Sequence, residues 1–221
     1  MGNIVINGGN ITAVDGGNGD AIGGDYGALP DYIEINGGNI NAVQRQGNGI
    51  SAKEMLITGG NIFTGSVGCN STESLIIRGG TLNAKGRGQV GIAISSDGTI
   101  EIIGGNILSN GKKYKIGQYS STNSNYLQAN ITNGENNLYE TQIKLQGVEK
   151  DKKVTKLTTS DNINYGIKDM YTLDDGMLYL YLPKTAENET RTISIEVDGK
   201  TYSGLVPTTE TPEVVTLNEI N

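Results

Sequence analysis

The sequence predicts an all-β chain, a parallel β-helix of about five coils followed by a small antiparallel β-sandwich. Three observations predict it. Gly-Gly pairs recur in register with aliphatic residues through the first half, Asp-Gly pairs separate alternating runs in the second, and the repeats carry no helical apolar period.

The repeat is read by aligning Gly8-Gly9, Gly37-Gly38, Gly59-Gly60, Gly79-Gly80 and Gly104-Gly105, which lie 29, 22, 20 and 25 residues apart. Four residues before each pair stand Ile4, Ile33, Met55, Leu75 and Ile100, and two before it Ile6, Ile35, Ile57, Ile77 and Ile102. Three residues after the first Gly come Ile11, Ile40, Ile62, Leu82 and Ile107, then Ala13, Ala42, Thr64, Ala84 and Ser109 two further on. Apolar positions two apart on both sides of a break describe two short strands, each with one buried face, joined at a bend. One such unit cannot bury its inward side chains alone, whereas units stacked at ~4.8 Å turn each position into a continuous ladder. The glycines allow positive φ and close approach of backbone at the corner. A third face is expected from Ile22, Ile50, Val67, and Ile92 with Ile94. Asn10, Asn39, Asn61 and Asn106 follow the pairs, with Thr81 as the exception, and stacked amides there are expected to bond up the ladder.

The stretches NIVINGGNITAV, YIEINGGNINAV, TGGNIFTG, IIRGGTLNAK and TIEIIGGNILSN resemble the right-handed parallel β-helices of secreted clostridial and related Gram-positive surface proteins. The likeness covers about residues 1 to 110 and implies a fold more than an activity, because β-helices host lyases, hydrolases, adhesins and inert spacers.

After Asn110 the period stops, glycine thins out, and 12 of the 17 basic residues follow. Residues 111 to 133 read as a last irregular coil and a crossing segment, so the β-helix domain is assigned to 1–133. From residue 134 short alternating runs begin. Asp174-Asp175-Gly176 separates Met170–Thr172 from Met177–Leu182, and Asp198-Gly199 separates Ile193, Ile195 and Val197 from Tyr202 and Leu205, both strong hairpin signals. An Ig-like β-sandwich over 134–206 is expected from them. Here YGIKDMYTLDDGMLYLYLP resembles a strand-turn-strand phrase that follows glycine-glycine repeats in the same surface proteins. Residues 207–221, opening on Pro207-Thr-Thr-Glu-Thr-Pro-Glu, read as a linker to a further domain, and the chain as a piece of a longer secreted protein.

Composition removes several chemistries. The 221 residues include no His, which excludes Ser-His-Asp and Cys-His machinery and every zinc site that needs imidazole. Cys69 is the single cysteine, so no internal disulfide forms, and nothing beside it favours a reactive thiol. A formal charge of −7 argues against nucleic acid, and no apolar run reaches the ~20 residues of a membrane span.

Catalysis on a polysaccharide needs carboxylates close together. Only Glu34 and Glu101 share a column in the repeats, three coil steps or ~14 Å apart, beyond the ~5 to 9.5 Å of a glycosidase pair. No catalytic residue is therefore assigned. Asp15, Asp20 and Asp25 lie in a glycine-rich stretch, Asp15-Gly-Gly-Asn-Gly-Asp20-Ala-Ile-Gly-Gly-Asp25, that resembles a calcium nonapeptide but places its Asp one position early. They are the candidate metal ligands, with calcium the only cofactor considered. Tyr179 and Tyr181 alternate with leucines in Met177–Leu182 and so point away from the core. There they serve either as a ~7 Å-spaced sugar-stacking pair or, the favoured expectation, as packing against a neighbouring strand or the β-helix.

The reading expected is a non-catalytic, extracellular or wall-attached bacterial surface module, monomeric, for adhesion or for binding a polysaccharide or cell-surface glycan. A polysaccharide lyase or glycoside hydrolase is the alternative, and a phage tail or receptor-binding component the third.

Overall fold

A computed structural model describes residues 2–17, 19–24, 28–44, 47–65, 67–85, 92–111, 114–120 and 125–220. Most of the described residues are strand, and Asp174–Gly176 forms a short 3-10 turn. In the first half run β1 (Asn3–Ile6), β2 (Asn10–Asp15), β3 (Tyr32–Ile35), β4 (Asn39–Gln44), β5 (Asn48–Ile57), β6 (Asn61–Thr64), β7 (Val67–Lys85), β8 (Ile92–Ser96), β9 (Thr99–Asn110), β10 (Tyr114–Ser120), β11 (Asn125–Gln128) and β12 (Ile131–Thr132). They form one curled sheet in which every pairing is parallel except the hairpin of β10 with β11.

The registers match the sequence columns. Ile4, Ile33, Met55, Leu75, Ile100 and Ile131 stand in successive Cα partnership, as do Ile6, Ile35, Ile57, Ile77 and Ile102, and, past the bend, Ile11, Ile40, Ile62, Leu82 and Ile107. Ile33, Ile35, Ile57, Ile62, Leu75, Ile77 and Ile107 have no exposed surface. Each such side chain contributes ~1.5 to 3 kcal/mol of burial, which is why the register is so firmly set. The third column needs a correction. It runs Ile22, Ile50, Cys69, Ile94, Ile116, so Cys69 and not Val67 continues it. Cys69 is fully buried, a small apolar side chain that fits between two isoleucines.

The second half holds β13 (Leu138–Leu145), β14 (Val154–Thr159), β15 (Met177–Pro183), β16 (Arg191–Val197), β17 (Lys200–Val206) and β18 (Val214–Ile220), ordered β14-β16-β17-β18-β13-β15. Leu178, Leu180 and Leu182 of β15 share one buried cluster with Ile143, Leu145, Ile193, Ile195 and Val197. Asp198 and Gly199 both take positive φ, 53° and 74°, in a two-residue turn with Val197 opposite Lys200, the conformation that Asp-Gly favours. Two expectations are corrected. The pairing is not wholly antiparallel, because β13 and β18 are parallel. Residues 214 to 220 are not linker either: Val215 and Leu217 pair with Ile143 and Leu145, Leu217 is fully buried, and alternation in the strand outweighs the Pro/Thr/Glu composition before it.

The two halves meet along the Gly-Gly bends. The second glycine of each pair has φ between 92° and 101°, and stacking aligns the bends into a furrow without side chains. Residues 165 to 171 lie in it. Gly166 forms a parallel bridge with Gly104, accepting the Gly105 N–H at 2.8 Å and donating to Ile103 O at 2.9 Å. One bend back, Gly80 N–H donates to Lys168 O at 2.6 Å, and at the next Gly60 N–H donates to the Asp169 carboxylate at 3.1 Å. A Cβ on Gly104 would stand 2.4 Å from Gly166 O and 2.5 Å from Arg78 O, and both obstacles are backbone. At Gly8, outside the furrow's covered part, a Cβ would meet nothing within 4 Å. Gly104→Ala is therefore expected to lower stability by roughly 1 to 3 kcal/mol in urea unfolding. Gly8→Ala should stay within about 0.5 kcal/mol. Equal effects would show that the seam is not what demands glycine.

Candidate functional site

Alternation along β15 turns Tyr179 and Tyr181 away from the leucine core, as the sequence implies, and toward the parallel sheet. Tyr181 is 3% exposed and belongs to the buried cluster of the first half. Tyr181 takes the favoured packing position against the parallel sheet, and the alternative of an open pair of rings for sugar stacking is corrected there. Tyr179 is half-buried, and its N–H donates to Asn106 Oδ1 at 2.7 Å.

Tyr181 instead walls a cleft of about 580 Å3 where the end of the parallel sheet meets β13 and β15. Ile116, Ala129 and Ile131 line one side, Leu138, Tyr139, Glu140 and Tyr181 the other, and Glu210 with Pro212 the rim. Glu140 stands directly across the ladder from Tyr181. Its carboxylate accepts from the Lys115 ammonium, from Gln142 Nε2 and, at 3.3 Å, from the Tyr181 hydroxyl. The Glu140 side chain is 7% exposed and that of Lys115 43%, so the cation reaches water while the anion lies inside. Burial first, and the Glu140 charge second, push the Tyr181 hydroxyl well above its ordinary value, which keeps it a donor. At the rim Glu210 is held below the ordinary carboxylate range by its hydrogen bond to Lys184. The cleft thus sets a buried carboxylate, a half-exposed ammonium and the Tyr181 hydroxyl side by side next to apolar side chains. The sequence reading missed Lys115 and Glu140 because they lie in different halves and belong to no motif.

The remaining candidates do not converge. Asp20 accepts the Asn48 N–H at 2.8 Å, Asp15 lies at the end of β2, and Asp25 falls outside the described residues. Among the described residues no group of three Asp, Glu, Cys or His gathers as a metal cluster. Glu34 and Glu101 do share a column, with Leu56 and Ile76 between them. Glu34 is occupied by Asn36 Nδ2 at 2.8 Å and the Tyr32 hydroxyl at 3.3 Å.

Comparison with known families, curated proteins and solved structures finds no match for this chain. Burial pushes the Cys69 thiol up to about 12. Below that pH it stays protonated, so an aromatic disulfide reagent at pH 8 should leave the native protein unmodified and titrate one thiol in denaturant. Rapid reaction of the folded chain would place Cys69 outside the column.

Proposed function

We propose that this chain is a non-catalytic module of a secreted or wall-attached bacterial surface protein, in which a closed, right-handed β-helix of about five coils forms a rigid stalk for an Ig-like β-sandwich. On this reading the junction cleft binds a polysaccharide or cell-surface glycan. Three parallel ladders per circuit support the closed helix, and a single core lined by β13, β15 and β16 supports the sandwich. Adhesion is supported by the joint, in which one segment is hydrogen-bonded to three successive bends.

The observation that carries the ligand reading is the Glu140 site. A saccharide hydroxyl donates to a buried carboxylate and accepts from an ammonium, and Glu140 with Lys115 offers both within one cleft. The hydrolase alternative rests on Glu140 and Glu210 lining the same cleft. It asks one of them for a raised proton affinity, and the Lys184 contact moves Glu210 the other way. Glu140, engaged as an acceptor by Lys115, Gln142 and Tyr181, is arranged as a binding group, and binding is favoured over cleavage.

Titration with a panel of neutral and acidic oligosaccharides, followed by tyrosine fluorescence and calorimetry, tests this. At least one class should bind without release of reducing ends, and Glu140→Gln should weaken it roughly tenfold or more, the worth of a charge-assisted hydrogen bond. Cleavage of any of them, or affinity unchanged in both Glu140→Gln and Lys115→Ala, overturns the reading.

A further inference from the structure

Asp15 closes β2 and Gln44 closes β4, and the two residues are Cα partners in adjacent parallel strands. Asp15 Oδ2 and Gln44 Oε1 are both buried and neither has a hydrogen-bond donor. Gln44 is only 5% exposed. Its amide orientation is fixed, because Nε2 donates to Gly19 O at 2.8 Å and a flipped amide would set oxygen against oxygen. Gly17 and Gly19 lie close to the carboxylate: a Cβ on Gly17 would stand 3.6 Å from either Asp15 oxygen, and one on Gly19 3.4 Å from Oδ2. No Lys or Arg among the described residues is ion-paired with Asp15.

Two buried acceptors at the ends of paired strands call for a donor or a cation, since an unpaired carboxylate oxygen and amide oxygen away from bulk water are costly. We propose that Asp15 Oδ2 and Gln44 Oε1 are ligands of a weak calcium site closed by the glycine loop, with backbone carbonyls and water completing the shell. Calcium suits it because the ion accepts six to eight oxygens in irregular geometry and takes neutral amide oxygens readily, whereas magnesium demands a strict octahedron and keeps its water. One carboxylate places the affinity at roughly 0.1 to 1 mM, the range of extracellular modules. Asp20 braces the loop through Oδ1, which accepts the Asn48 N–H, and stands outside the proposed ligand set. The site is independent of the cleft reading, and either can fail alone.

Calorimetric titration with CaCl2, with MgCl2 as control, and thermal unfolding of the whole chain test the proposal. Calcium at ~10 mM is expected to raise Tm by roughly 3 to 6 °C for a Kd near 1 mM, and magnesium to do much less. Asp15→Asn and Gln44→Ala should each weaken calcium binding about tenfold or more. Asp20→Asn, which keeps an acceptor for Asn48, should leave it within about twofold. Gln44→Glu, which adds a charged ligand, should tighten it, and this variant decides the matter if Asp15→Asn folds poorly. No calcium response, an equal response to magnesium, a response undiminished in Asp15→Asn, or a loss in Asp20→Asn as large as in Asp15→Asn would each overturn it.

Discussion

Stacked Gly-Gly bends leave a furrow in which backbone is reachable, and the rest of the molecule is arranged around that fact. A bend with positive φ turns its second N–H away from the ladder, so a column of bends is a column of donors. The segment from Tyr165 to Tyr171 satisfies them from outside: Gly166 O, Lys168 O and the Asp169 carboxylate take the N–H groups of Gly105, Gly80 and Gly60. The approach is so close that a single Cβ on Gly104 or Gly166 would collide with carbonyl oxygen, at 2.4 Å and 1.9 Å respectively. Glycine is thus required twice over at these bends, by the conformation of the corner and by the chain lying on it. Side chains then fasten the seam, with Tyr165 donating to Gly105 O at 2.9 Å and Lys168 Nζ to Asn36 O at 2.7 Å.

The parallel columns were legible because burial of isoleucine at every second residue leaves one register that keeps water out, and Ile33 over Met55 over Leu75 follows from that rule. The third column was half legible. Cys69 does not belong to the aliphatic alphabet that a periodicity count uses, yet its volume suits a gap between Ile50 and Ile94. Alternation likewise told which way Tyr181 points, and the parallel sheet it meets was one of the neighbours expected, but a strand's sequence names only the polarity of its faces and not the cleft beside them. At Val214–Ile220 a polar stretch rich in Pro and Thr hid the strand that follows, and Thr208, 1% exposed and sharing a hydrogen bond with Thr141, shows that even the polar part is packed. The cleft was not legible at all. Lys115 and Glu140 are brought together only once the seam has set one half upon the other.

That dependence is direct. The Tyr165 hydroxyl donates to Gly105 O in the furrow and accepts the Tyr181 N–H at 3.2 Å, so one buried phenol ties the glycine bends to the wall of the cleft. Burial raises the Tyr165 hydroxyl far above its ordinary value, so it keeps the proton that makes the tie. Glu140 is then held across from Tyr181 by strand pairing and by the phenol donor, so the cleft owes its shape to contacts within the chain.

The amide column after the bends shows the same surface used in two ways. Where the bends are open, the amides bond each other, with Asn39 Nδ2 donating to Asn10 Oδ1 at 2.9 Å. Where the second half docks, they turn to it: Asn106 donates to Tyr171 O at 2.8 Å and accepts the Tyr179 N–H, and it has no exposed surface. Thr81, the one departure from Asn, sits at the crossing itself, accepting the Tyr171 N–H at 2.7 Å and donating to Asp169 O at 3.1 Å. An asparagine there would carry a longer side chain into a space already filled by the Asp169 to Tyr171 backbone, at a position only 1% exposed. The exception to the repeat therefore marks the docking point, and the position where the pattern breaks carries more information about the joint than the positions where it holds.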